Sequence, residues 1–325
     1  MKKDYKVVLF VMAITWLLAV SACGQTPKPL KIGFWNTENL FDLKDDPGTR
    51  DEEFALGGSK GVTQEIYDLK LKHCAEVLGD LDADVIGLCE VENRGMMEAL
   101  NRAYTGRNYK IIHYDSPDER GIDCALFYDP EKFEVLDSKP IRNPLPKGDR
   151  TRDILYVKGK FDGQVLHLFV NHWPSNWGGK EKAIPKRAAT ANLIVAEVAK
   201  ILKGNPLAEI LLLGDFNENP DDSNVQSLKA AGLVSLMEPM VGSPGKGTYV
   251  YRGKDFFLDQ FIVSPGLQDQ EGLFIPPDAV TILDRGKYRQ QEGKFAHYPF
   301  RFWVGKRLLG GYSDHLVIEV RITGK

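Results

Sequence analysis

The chain repeatedly ends an apolar, strand-like run on a carboxylate, an amide or an imidazole. Phe34-Trp35 leads to Asn36, Ile86-Gly87-Leu88-Cys89 to Glu90, and Leu168-Phe169-Val170 to Asn171 and His172. The aliphatic run Ile210–Leu213 leads to Asp215 and Asn217, Phe256-Phe257-Leu258 to Asp259, and Tyr312-Ser313 to Asp314 and His315. An ionised carboxylate placed beside a core is costly unless a counter-charge compensates it. A fold that tolerates this pattern must gather the strand mouths around shared compensation. The oxygen-rich set Glu90, Asp215, Asp314, Asn36 and Asn217 suits a hard cation, Mg²⁺ or Mn²⁺. No His/Cys spacing supports zinc.

Periodicity places these residues on an alternating framework. Leu30 to Asn36 reads as a strand and Leu43 to Gly61, dense in Asp, Gly and Glu, as a long loop. Thr63 caps an amphipathic helix through Tyr67, Leu71, Ala75 and Leu78; a strand Ala83–Cys89, a helix Glu92–Tyr104 and a strand Tyr109–His113 follow. From Ile122 to Val157 short runs separated by turn residues predict an antiparallel meander, which Val165–Val170 repeats. Lys180–Leu202 reads as a long helix whose basic start is a solvated face, Ile210–Leu213 as a core strand, and Phe256–Val263 with Leu316–Ile322 as closing strands. Two similar halves pairing strands with outer helices predict stacked sheets in one domain, residues 30–325.

Lys2, Lys3 and Lys6 precede an apolar run from Val7 to Val20 that ends in Ser21-Ala22-Cys23, the grammar of an export segment over residues 1–22. Its small residues before Cys23 match a lipoprotein cleavage box, so Cys23 is expected to be lipidated, with residues 23–29 a tether to an outer-leaflet membrane and the mature protein exported to the cell envelope; a plain signal peptide is the alternative. Cys74, Cys89 and Cys124 sit in apolar stretches and read as buried small hydrophobes rather than a disulfide framework. A formal net charge of -3 provides no global field to recruit a polyanion. Within Asp284–Gly311, however, Arg285, Lys287, Arg289, Lys294, Arg301, Lys306 and Arg307 alternate with Tyr288, Phe295, Tyr298, Phe300, Phe302 and Trp303. That insertion either contacts a phosphorylated or stacked substrate or pins itself to the domain.

Taken singly, Glu90 or Asp215 could cap a helix and His172 could be a packing residue. The ordered set Trp35-Asn36-Thr37-Glu38-Asn39-Leu40-Phe41-Asp42, Leu88-Cys89-Glu90-Val91-Glu92-Asn93, Val170-Asn171-His172-Trp173-Pro174-Ser175, Gly214-Asp215-Phe216-Asn217, Leu258-Asp259 and Ser313-Asp314-His315 resembles the endonuclease/exonuclease/phosphatase superfamily. The likeness spans the chain from Leu30 onward. It implies a deoxyribonuclease-I-like α/β (α+β) fold, a four-layered sandwich of two stacked mixed sheets flanked by helices. It also implies a divalent-metal-dependent hydrolase that cleaves a phosphoester by direct attack of water.

By the same resemblance Glu90 is the principal metal ligand, with Asn36 and Asp314 its companions. Asp215 orients or deprotonates the water, Asn217 contacts the phosphoryl group, His315 oriented by Asp259 stabilises the scissile phosphate, and His172 is a second phosphate contact. Glu38 departs from some members, which leaves its role open. Asn171, Trp177 and Arg120 are further candidates for contacting substrate. The expected substrate is a phosphodiester such as DNA or RNA handled by a monomer; a phosphatase, a lipid phosphodiesterase and a noncatalytic binding module are the alternatives.

Overall fold

The computed structural model describes residues 28–243 and 245–325, so the expected export segment and Cys23 lie outside the described residues. The chain begins with β1 (Leu30–Leu40), α1 (Gln64–Leu81), β2 (Val85–Val91), α2 (Arg94–Ala103), β3 (Lys110–His113) and β4 (Asp123–Tyr128). It continues through β5 (Glu134–Ile141), β6 (Ile154–Phe161), β7 (Gln164–His172), α3 (Lys180–Gly204), β8 (Glu209–Asp215), α4 (Ser223–Ala230) and β9 (Val234–Ser235). A hairpin of β10 (Tyr249–Tyr251) and β11 (Lys254–Phe256) precedes β12 (Asp259–Val263), β13 (Leu273–Phe274) and β14 (Val280–Leu283). A second hairpin, β15 (Trp303–Val304) and β16 (Arg307–Leu308), then leads to β17 (Val317–Gly324). Among the described residues no helix is long and apolar enough to cross a membrane.

Local chemistry sets the helix starts. Thr63, in extended conformation, accepts from the Ile66 amide and opens α1, whose Cys74, Val77, Leu78 and Leu81 fall on one buried face. Asn93 accepts from the Met96 amide at 2.9 Å. It is therefore the cap of α2, and Glu92, expected inside that helix, lies before it.

Each sheet is mixed and centred on one parallel pair, β1 with β2 and β7 with β8, whose crossovers carry α1 and α3. The seven-stranded sheet runs β13-β17-β1-β2-β4-β3 with β14 also on β17, and the six-stranded sheet runs β5-β6-β7-β8-β12-β9. The expected meander is thus split: β4 pairs with β2 and β3, while β5 and β6 belong to the other sheet with β7. Turn residues alone carry no information on which sheet the next strand joins.

Alternation along the strands builds the layers. Ile32, Phe34, Val85 and Leu126 face Leu168, Val170, Leu211, Leu213 and Phe261 between the sheets. On the outer faces Ile86 and Leu88 meet α1 and α2, and Ile210 and Leu212 meet α3 and α4, giving helix, sheet, sheet, helix. Gly87 lies on the face between the sheets, where a Cβ would stand 2.9 Å from Leu213 Cδ1 of the opposite sheet. Cys74, Cys89 and Cys124 are free and buried, as expected.

Candidate active site

The topology brings the strand mouths to one edge. Asn36, Glu90, His172 and Asp215 lie at or near the C-terminal ends of the two parallel pairs, and the antiparallel strands β12 and β17 begin beside them. Asp259 therefore opens β12 opposite Asp215 rather than lying inside a strand that runs from Phe256 to Val263. Phe256 instead belongs to the β10–β11 hairpin. Gly214 is required just before Asp215, since a Cβ there would lie 2.4 Å from the Asn171 carbonyl.

Asn36 links the halves: its Nδ2 donates to Glu90 Oε1 at 3.4 Å and to Asp215 Oδ2 at 3.1 Å. Glu90, in the left-handed region at φ 60, turns its carboxylate into the mouth. There Oε2 accepts from the Asn39 amide at 3.0 Å and faces Arg120 Nη2 at 3.6 Å. Arg120 also donates to Asn39 Oδ1. His172 Nε2 stands 4.0 Å from Glu90 Oε1 and 3.7 Å from Asp215 Oδ2. His315 Nδ1 meets Asp259 Oδ2 at 2.7 Å, leaving its Nε2 3.8 Å from Asp215 Oδ2. Ser313 fixes this turn by donating to the Asn36 carbonyl at 2.7 Å and accepting from the His315 amide at 3.0 Å.

The two imidazoles are driven in opposite directions. Burial, seconded by the Arg152, Arg120 and His315 charges, holds His172 well below its ordinary value and therefore neutral. Burial would lower His315 too, but Asp259 and Asp215 outweigh it and hold that imidazole well above its ordinary value. Burial also pushes Asp215 up, to about 7, helped by Asp259 and opposed by His315.

The other expected residues are held by different contacts. Asn171 is wholly buried and donates to the Phe169 and Leu213 carbonyls, so its amide holds the strands rather than facing the cleft. Asn217 donates to the Trp173 carbonyl at 3.0 Å, while its own amide supports Asp215 Oδ1 at 2.9 Å. Trp177 is 85% exposed on the loop before α3. Asp314 is paired with Arg301 at 2.8 Å. Glu38, whose role the sequence left open, is buried and accepts from the Phe302 and Trp303 amides at 2.6 and 3.1 Å, anchoring the basic insertion. The rear of that insertion is thus pinned, with Phe302 and Trp303 buried, whereas Phe295 remains exposed.

Sequence reading missed Tyr249, whose ring packs 4.9 Å from the His315 ring, and Arg152, buried between Asp118 and the Trp173 carbonyl. Neither follows an apolar run, the signal that revealed the others.

Comparison with known proteins agrees with this architecture. A Drosophila melanogaster protein, Protein angel, is 24% identical over 216 residues, 59% of this chain and 58% of its own length; the chain thus spans under two thirds of that relative. Among solved structures, D. rerio TDP2 complexed with a single-strand DNA product superposes with a TM-score of 0.58 at 15% identity, covering 90% of this chain and 98% of that one. The human Nocturnin catalytic domain with bound sulfate gives 0.55 at 15% identity, covering 91% and 95%. A Bacteroides thetaiotaomicron endonuclease/exonuclease/phosphatase family protein gives 0.57 at 18% identity, covering 93% and 100%. These likenesses establish the deoxyribonuclease-I-like fold. With residues 31–323 matching its profile, the chain belongs to the Endonuclease/Exonuclease/phosphatase family, whose members are typically hydrolases acting on phosphoester bonds.

Proposed function

We propose that this protein is a divalent-cation-dependent phosphodiesterase, a nuclease in its natural setting, that hydrolyses its substrate by direct attack of water. The observation carrying this reading is the convergence of Asn36, Glu90, His172, Asp215, Asp259 and His315, drawn from both sheets, within hydrogen-bonding or ion-pairing reach of one another. The donor set fits a hard ion: Glu90 offers carboxylate oxygens at the mouth, and the neighbouring donors are carboxylate and amide oxygens and imidazole nitrogens. Glu90 with Asn36 would hold Mg²⁺ or Mn²⁺, which when bound neutralises charge developing on the phosphoryl oxygens.

The chain's own groups divide the remaining work. Asp215, held near neutrality in its affinity for protons, takes the proton of the attacking water. His315, kept protonated by Asp259, donates from Nε2 to a phosphoryl or departing oxygen as the ester bond breaks. Neutral His172 accepts or donates a hydrogen bond without adding charge, and Arg120 supplies a fixed cation beside Glu90. A nucleic-acid substrate is supported by exposed Phe295 with exposed Lys294, Lys306 and Arg307 of the insertion and by the DNA product bound to the TDP2 relative. On sequence grounds alone, the enzyme is exported and anchored through lipidated Cys23.

The mature protein is to be incubated with plasmid DNA, RNA, bis-nitrophenyl phosphate and sphingomyelin in Mg²⁺ or Mn²⁺, with chelator controls. Cation-dependent cleavage of a nucleic acid that disappears in Asp215→Asn is expected. Absence of diester cleavage, or cleavage unchanged in that variant, overturns the reading; selective turnover of sphingomyelin moves the enzyme to lipid headgroups.

A further inference from the structure

A second group of carboxylates is distinct in its residues from the site around Glu90 and the imidazoles. Asp46 and Asp51 come from the loop after β1, and Glu92 from the link between β2 and α2. One carboxylate oxygen of each lies within 4.8 Å of the others. Asp42 joins them by donating its backbone amide to Glu92 Oε2 at 2.6 Å.

Their hydrogen bonds are directional. Asp51 Oδ2 accepts from the Asp46 amide at 3.0 Å and Oδ1 from Thr49 Oγ1 at 2.8 Å, which curls the loop around the cluster. Glu92 is 6% exposed, yet its Oε1 is buried with no hydrogen-bond partner. Among the described residues none of these four carboxylates has a Lys, Arg or His nitrogen within 4.0 Å. A buried carboxylate oxygen with neither donor nor counter-ion, beside other carboxylates, is a costly arrangement that a bound cation would relieve.

We propose that Asp46, Asp51 and Glu92 form a structural binding site for a hard divalent cation of the calcium type, separate from the catalytic centre. A site built from protein carboxylates alone suits calcium, which accepts many oxygen ligands in flexible geometry, better than magnesium, which keeps several waters and is usually held by one or two carboxylates. Such an ion would clip the loop to the base of α2. Because the Arg50 amide of the same loop donates to the Glu119 carbonyl at 2.7 Å, the clip would also brace the segment that carries Arg120.

The test uses the full mature protein with Glu90→Gln in the background, so that an ion at the catalytic mouth is not what is read. Calcium chloride is titrated by calorimetry, and the unfolding temperature is followed with calcium and with chelator. One saturable calcium event and a calcium-dependent rise in unfolding temperature are expected, with magnesium binding more weakly. Asp46 is exposed, so Asp46→Asn will fold, and it should weaken calcium binding by about tenfold or more; Glu92→Gln should do the same. No saturable calcium heat in the Glu90→Gln protein, or binding unaltered by Asp46→Asn, overturns the site. Failure here leaves the phosphodiesterase reading untouched, because the measurements contain no turnover.

Discussion

Asp259 never needs to reach a substrate to matter. Fully buried and hydrogen-bonded to His315 Nδ1 at 2.7 Å, it fixes both the ring and its proton. Asp259→Asn should therefore lower kcat by about 10²-fold or more, as steady-state kinetics on a diester will measure. Glu90→Gln should raise the Mg²⁺ concentration needed for half-maximal rate. A titrating residue outside the cleft gives a separate check. Burial, with Lys158 second, lowers His167 from 6.5 to about 4. Between those values the unfolded chain binds more protons than the folded one, so this residue's contribution weakens stability as pH falls through that window. His167→Gln should show a smaller loss of Tm between about pH 7 and about pH 5 than the parent. At this scale much of the site was legible, because a polar residue ending an apolar run is visible in sequence. Tyr249 and Arg152 were not, since each arrives from a segment without that pattern. Nor was the inward turn of Asn171 or the capture of Asp314 by Arg301, which depend on neighbours far along the chain.

Elements explain how the basic insertion is held. Glu38 accepts from two backbone amides of the insertion and pairs with Arg301, while Lys70 of α1 donates to the Thr37 and Tyr312 carbonyls at 2.6 and 2.9 Å. Glu38→Ala would strand buried donors, and equilibrium unfolding in urea should show a loss of about 2–4 kcal/mol, accompanied by faster proteolysis within 284–311. Most helices and core strands were readable from periodicity and caps, with ends displaced by one to a few residues. β1 runs past its expected end at Asn36 to Leu40 because a bulge with Glu38 and Asn39 at positive φ lets pairing with β2 resume. A bulge leaves no periodic trace.

At the level of the whole molecule, the two sheets meet through side chains that alternate along the central strands, and Gly87 leaves room there for Leu213 of the opposite sheet. Gly87→Ala should cost about 1–3 kcal/mol in stability, read from urea unfolding. It should also reduce turnover, although a side chain at 87 would meet Leu213, Phe34 and Val170 and none of the reacting groups. The sandwich class was legible from two strand-and-helix halves. The assignment of β4 and β5 to different sheets was not, because it follows from which apolar faces find each other rather than from any local signal.

The link that Asn36 makes to Glu90 in its own sheet and to Asp215 in the opposite one has a mechanical corollary. Under the proposed chemistry, competence belongs to neither half alone, so a slight shear between the layers would silence turnover while leaving each layer intact. Turnover is then the most sensitive gauge of how the halves are seated, and in a denaturant series it should vanish no later than the far-ultraviolet circular dichroism signal.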